Sequence, residues 1–273
     1  MSAPQAPGSA TPFVPLVDAH AHVYTRQMPL IANPRHRPTY DFTIADYLAQ
    51  LDMHGVQYGV IAAASPWGDY HDYTVAATTS TARLKGTVIL DPHKSYDLQA
   101  LSRQGIVGVR LPFIGLPELP DLTAPEWRKT LKNIADVGWH VHLHVEGRHI
   151  PALLPLLENA GPRIVIDHLG RPAPDEGRGS AGYRAIVASV NKGHSWIKAS
   201  CAYRIGAVAN EHFHGFLEEL GPERLFWASD CPFVGHEGQL VYADTIRWLS
   251  EQVSDPAVLR QIGGENALRF YFE

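Results

Sequence analysis

Short apolar runs and amphipathic segments alternate along this chain from residue 16 to its end, and this alternation constrains the fold more than any other feature. Runs at 16–22, 56–63, 86–90, 106–111, 139–145, 163–168, 196–200 and 224–229 read as strands. Helical patterns follow them at 44–54, 72–83, 96–104, 124–137, 150–159, 182–190, 208–220 and 239–252, with a short helical tail to 270. Thr43 suits an N-cap, Pro125 suits a first helical turn, and Gly55 stops the first helix. Alternation of this kind implies a parallel sheet, and eight units match a closed (β/α)8 or TIM barrel of the α/β class better than an open sheet. Several strands are apolar throughout, as parallel strands covered on both faces should be. The Pro- and Gly-rich stretch 171–182 follows a strand and reads as a βα loop, so residues 13–273 are expected to form a single domain behind a loose tail at 1–12.

Composition narrows the classes of function. With 45% hydrophobic residues the chain can bury a sizeable core. A net charge of −5 argues against a nucleic-acid or anionic-membrane surface, though not against a local basic pocket for a small anion. Cys201 and Cys231 are too few for a disulfide framework and suit a reducing cytoplasm. The tail lacks the basic and apolar regions of a signal peptide. No run approaches the roughly 20 apolar residues that span a bilayer. The expected setting is therefore cytoplasmic, with neither membrane nor nucleic acid as a partner.

In a barrel of this type the chemistry sits at the C-terminal ends of the strands. The first strand carries Asp18-Ala19-His20-Ala21-His22. Side chains alternate along a strand, so His20 and His22 share a face, about 6.5 to 7 Å apart along it. The fifth strand reads His140-Val141-His142-Leu143-His144, with His144 nearest the end. The sixth ends in Asp167-His168, where His168 shares parity with Ile164 and Ile166, and the eighth in Ser229-Asp230-Cys231-Pro232. In a chain with 15 histidines a lone His-x-His carries little weight. Four histidines and Asp230 at four separate strand ends carry more, and form either a metal site or a metal-free acid/base cluster. Asp18 reads as a structural hydrogen-bonding partner, and His140 and His142 as barrel-interior residues. His36, His54, His71, His93, His149, His194, His212, His214 and His236 fall in loops or helices and read as solvated. Arg110 closes the fourth strand, Arg171 follows the sixth and Arg204 lies just after the seventh. Guanidinium forks pair with carboxylates, and three at one mouth point to an anionic substrate.

The segments 17–23, 108–113, 138–146, 164–172, 198–200 and 227–232 resemble the amidohydrolase superfamily. Within it, they are most similar to the 2-pyrone-4,6-dicarboxylate lactonase branch, which also holds sugar-lactone and muconolactone-type hydrolases. The resemblance spans nearly the whole chain and rests on His20-x-His22, on the run from Asp167 to Pro172 and on the run from Ser229 to Pro232. It implies a distorted (β/α)8 barrel that hydrolyses the ring ester of a carboxylated lactone. His20, His22, His168 and Asp230 then fall in the active-site cluster, with Asp230 as general base. Arg110, Arg171 and Arg204 fall on positions that hold the substrate's carboxylates, and Ser65 joins them as a substrate-binding residue.

The chain also departs from that branch. His144 stands where the dicarboxylate lactonases carry a tyrosine, and the set His20, His22, His144 and Asp230 resembles the ligands of zinc-dependent relatives. One divalent, zinc-like ion and metal-independent chemistry are both left open. Pro112 replaces an amide side chain, and Cys231 and Phe233 replace a tryptophan and a histidine, which leaves the identity of the lactone open. A lactone isomerase or a decarboxylase on the same scaffold is the rival enzyme reading. A catalytically idle anion-binding barrel is the rival outside catalysis. The oligomeric state is not fixed by the sequence.

Overall fold

The computed structural model describes residues 13–273, so the tail expected at 1–12 lies outside the described residues. Eight strands, β1 (Val17–Ala21), β2 (Tyr58–Ile61), β3 (Leu84–Val88), β4 (Ile106–Pro112), β5 (His140–His144), β6 (Arg163–Ile166), β7 (Ser195–Ala199) and β8 (Leu225–Trp227), are neighbours in chain order. Every adjacent pair is parallel. The ring closes beyond the regular ladder, where Asp230 N–H donates to His20 C=O at 2.9 Å and His22 N–H donates to Cys231 C=O at 2.8 Å. This is the expected (β/α)8 barrel.

The strands are joined through α1 (Ile44–Met53), α2 (Asp72–Ser80), α3 (Leu98–Arg103), α4 (Pro125–Asp136), α5 (Ile150–Ala160), α6 (Ala181–Asn191), α7 (Ala202–Ile205) and α8 (Val208–Leu220). After β8 come α9 (Tyr242–Gln252), α10 (Pro256–Arg260) and α11 (Asn266–Tyr271). The first helix starts where its sequence says it should. Thr43 and Asp46 form a reciprocal capping box, which satisfies two otherwise orphaned N–H groups. At the end of α5 the chain needs φ +96°, which Gly161 supplies without a Cβ penalty. Several sequence boundaries shift: the helix expected at 72–83 stops at Ser80, that at 239–252 begins at Tyr242, and the strand expected at 86–90 lies at Leu84–Val88. The four-residue α7 was not expected, because one helical turn leaves no periodicity to read. No helix among the described residues is long and apolar enough to cross a membrane.

Apolar side chains fill two layers. The larger lies between sheet and helices and includes Leu51, Val109, Leu154, Ile164, Ile166 and Phe216. The smaller holds Val17, Ala19, Val60, Val165, Phe226 and Ala228 with Phe270 and Tyr271 of α11. Arg163, the first residue of β6, lies 4.3 Å over the Phe270 ring, so α11 caps the end of the barrel where the strands begin. The opposite end, where the strands finish, stays open for a site.

Strand parity holds only up to those finishing ends. Ile164 and Ile166 pack outward while Val165 faces the interior, so parity alone would not bring His168 inward with them. The strand stops at Ile166, and His168 reaches the site because it adopts φ +54° in the turn that follows. On β1 the register slips between Asp18 and Ala21, a bulge-like irregularity that re-aims side chains at a barrel rim. Asp18 takes hydrogen bonds from Ser229 Oγ (2.6 Å) and Tyr242 Oη (2.9 Å), which gives it the structural role the sequence suggested.

Candidate active site

Asp230 stands at the centre of the open end. It lies three residues past β8, at φ +63°, a backbone conformation that costs a non-glycine residue energy and gathers at functional sites. Its two oxygens face different groups. Oδ2 accepts from Tyr203 Oη at 2.7 Å and from the Cys201 thiol at 3.2 Å. Oδ1 faces three imidazoles: His22 Nε2 at 3.5 Å, His20 Nε2 at 3.6 Å and His168 Nε2 at 3.8 Å. Burial pushes the carboxyl up, but the facing rings of His168, His22 and His20 outweigh it and hold Asp230 well below the ordinary carboxylate range. Burial likewise lowers His168 to about 3, against the opposing pull of Asp230 and Asp167. At neutral pH the centre thus holds an ionised Asp230 carboxylate facing neutral His20 and His168 rings.

Each ring is held from behind. His22 Nδ1 lies 2.7 Å from the Ala62 carbonyl, which can only accept, so that nitrogen carries the proton. His168 Nδ1 meets Ser200 Oγ at 2.8 Å. His20 Nδ1 meets the Lys198 ammonium at 2.9 Å. The Nε2 atoms of His20 and His22 are 3.3 Å apart and, with Asp230 Oδ1, form a nearly equilateral triangle. Ligands on one tetrahedral zinc, at bonds of roughly 2.0–2.1 Å, are separated by about 3.4 Å. The spacing of these three atoms therefore fits a divalent ion, and His20, His22 and Asp230 form one compact ligand group.

His144 is not brought into that group. Its Nδ1 lies 2.9 Å from Arg110 Nη2, and a guanidinium only donates, so Nδ1 accepts and a neutral His144 carries its proton on Nε2. The ring sits 5.0 Å from that of His168 on the pocket wall, outside the groups of atoms at ligand spacing among the described residues.

Under the site lies a buried charge network that the sequence reading did not single out. Asp167 pairs with Arg110 Nε (2.9 Å, to Oδ2) and with Lys198 Nζ (3.1 Å, to Oδ1), and all three side chains are almost fully buried. Lys198 also meets His142 Nδ1 at 3.0 Å, and His142 leads on to His140 and to Tyr271 Oη. Burial lowers Lys198 to about 8 while Asp167 holds it up. A visible signal existed: a lysine inside the apolar run of β7 needs a buried partner.

The pocket above is lined by cations. Arg110, Arg171 and Arg204 reach it as expected, as does Ser65, and Arg35 and His36 from the long loop after β1 join them. Asp230 is the carboxylate of that lining. Arg110 is already engaged by Asp167, Ala63 C=O and His144. Arg204 donates to Val234 C=O and Tyr203 Oη. Arg171 keeps a buried Nε without a partner, at φ +46°. Among the histidines read as solvated, His36 lines the pocket and His212 is buried, because its ring reaches the Glu176 carbonyl at 2.7 Å.

Comparison with known proteins bears on this arrangement. An amidohydrolase family model matches residues 17–272. The 4-sulfomuconolactone hydrolase of Rhizobium radiobacter is 27% identical over 230 residues, 80% of this chain and 76% of that one. The 2-pyrone-4,6-dicarboxylate hydrolase of Comamonas testosteroni is 27% identical over 236 residues, covering 79% and 76%. A probable 2-pyrone-4,6-dicarboxylic acid hydrolase from Acinetobacter baumannii, crystallised with citric acid bound, superposes with a TM-score of 0.89 at 32% identity, covering 94% of this chain and 99% of that one. A zinc-bound amidohydrolase from Burkholderia multivorans superposes at 0.76 over 95% and 99%, and its 15% identity speaks for the fold alone.

Proposed function

The chain belongs to the amidohydrolase family, and from that premise we propose that it opens the ring ester of a small carboxylated lactone by adding water. The observation that carries this reading is Asp230, an ionised carboxylate between imidazoles and a hydroxyl, facing a pocket whose other charges are arginines. The relatives named as 2-pyrone-4,6-dicarboxylate and 4-sulfomuconolactone hydrolases support the substrate class.

In the proposed reaction Asp230 takes a proton from water as the water oxygen bonds to the lactone carbonyl carbon. The carbonyl π pair moves onto oxygen, and N–H groups of the imidazole cluster stabilise that oxyanion. When the carbonyl re-forms, the ring C–O bond breaks, and the leaving oxygen recovers the proton from Asp230. Ring-opened hydroxy acid is the product. Tyr203 and Cys201 hold Oδ2 in place, so that Oδ1 is the oxygen presented to water.

His20, His22 and Asp230 are the side chains at ligand spacing, and a divalent ion held there would supply water with its pKa lowered to about 7. Arg171, Arg204 and the free N–H groups of Arg110 are the proposed partners of the substrate's carboxylates, with Ser65 beside them. Free, buried Cys201 and Cys231 agree with a reducing, cytoplasmic setting.

Product analysis by NMR on a panel of mono- and dicarboxylated lactones tests the reading. Ring-opened acid supports it. Rearranged lactone would assign an isomerase, released carbon dioxide a decarboxylase, and bound but unchanged ligand an idle binding barrel.

A further inference from the structure

Two observations about His20 pull in opposite directions. Its Nε2 sits at a corner of the triangle that fits a metal ion, where it would have to present a lone pair. Its Nδ1 lies 2.9 Å from Lys198 Nζ. Lys198 is fully buried, lies 3.1 Å from Asp167 Oδ1 and is 3.0 Å from His142 Nδ1. An ion-paired ammonium has three N–H donors and no lone pair, so an imidazole nitrogen that meets it accepts. A neutral ring accepting at Nδ1 carries its proton on Nε2.

We propose that Lys198 is a positioning residue that fixes His20 as the Nε2–H tautomer, so that His20 faces the reacting centre as a hydrogen-bond donor and is a poor metal ligand. The rest of the cluster agrees. His22 holds its own proton on Nδ1, toward the Ala62 carbonyl, which leaves its Nε2 lone pair free 3.3 Å from His20 Nε2. The protons form one consistent chain, from Lys198 to His20, from His20 to His22 and from His22 to the backbone of the loop after β2. No atom in that chain needs a cation to complete it. The competing arrangement places the proton on Nδ1, directed at Asp167 Oδ1, but that oxygen is 3.5 Å away, farther than Lys198. In metal sites a ligating histidine ordinarily turns its other N–H toward a carboxylate or carbonyl, as His22 does here. Behind His20 the nearest group is a cation, which has the opposite effect.

The inference rests on His20 acting in the proposed hydrolytic site, but its test needs no substrate. Side-chain ¹⁵N spectra of the chelated native protein read the tautomer directly, and His20→Asn assigns the signals. A protonated Nε2 and an acceptor Nδ1 on His20 support the proposal. A protonated Nδ1 overturns it, whether or not the protein hydrolyses a lactone. The second measurement is zinc affinity by calorimetry for the native protein and for Lys198→Met. Partners behind a ligand change metal affinity by about 10- to 100-fold, so Lys198→Met should bind zinc tighter by that factor. Equal or weaker binding by a folded Lys198→Met overturns the proposal. If that variant does not fold, the native spectra alone decide.

Discussion

Arg110 and Asp167 form a buried ion pair at the floor of the pocket, Nε to Oδ2 at 2.9 Å. The pair changes how Arg110 should be read. Its guanidinium spans Asp167, the Ala63 carbonyl and His144, so it builds the site as well as facing it. Arg171 has no such attachment among the described residues. Removing one partner of a buried pair leaves an uncompensated charge and costs up to about 3–5 kcal/mol, a loss softened here because Lys198 also faces Asp167. Arg110→Met should therefore lose stability in urea unfolding as well as activity. Arg171→Met should keep its stability and lose kcat/KM by about 10- to 150-fold, the value of one charge-assisted hydrogen bond. Equal stability losses in both variants would place Arg171 in the scaffold too.

Asp230→Asn keeps the side chain's shape and removes the base. Turnover should fall by about 10²- to 10⁴-fold, while circular dichroism and the melting temperature show a folded barrel. A kcat within about tenfold of the native value would mean that the base lies elsewhere and that Asp230 only shapes the turn.

The electrostatics of the centre also set its pH response. His168 is lowered to about 3 and Asp230 is held well below the usual carboxylate range, so both keep their neutral-pH forms as acid is added. Groups with depressed folded-state values lose those forms only when pH falls through the depressed values. kcat/KM should therefore stay flat between about pH 7 and pH 5, where an ordinary histidine would titrate. A decline with a midpoint near 6.5 would show that a required imidazole has an unshifted pKa.

The fold was legible because every level of the sequence agreed on it: strand spacing, the Thr43 cap and the stop at Gly55 all point to the same alternation. The cluster of His20, His22, His168 and Asp230 was legible from its placement at strand ends. The route by which His168 and Asp230 arrive was not, since both depend on positive φ beyond the last paired residue, which strand parity cannot describe. Tyr203 was missed because it sits on a single helical turn, and Arg35 because a long polar loop carries no periodicity to say where it folds back. Lys198 was readable in principle, as one charge in an apolar strand, but only the folded barrel shows Asp167 and two imidazoles around it.

Arg35 yields the prediction that tests substrate class most directly. It comes from the loop after β1, lines the pocket, and is packed near Arg171 and Arg204. Partial desolvation at the pocket mouth and the repulsion of those two guanidinia lower its pKa, with Glu146 as the opposing attraction. A cation held among cations is relieved when an anion enters, so a substrate with a second acidic group should gain more from Arg35 than one with a single group. Replacing it with methionine keeps much of the apolar stem and removes the charge. Because the residue is exposed at the mouth, Arg35→Met should leave stability unchanged. The expected outcome is a rise in KM of about 10-fold or more for a dicarboxylated or sulfonated, carboxylated lactone, with kcat little changed, since the contact is made equally in the ground and transition states. For the matching monocarboxylated lactone the same substitution should change KM by less than about threefold, because the partner group is missing from the substrate as well. Equal losses on both lactones would make Arg35 a general electrostatic or structural residue, and a second acidic group would no longer be part of what the pocket recognises.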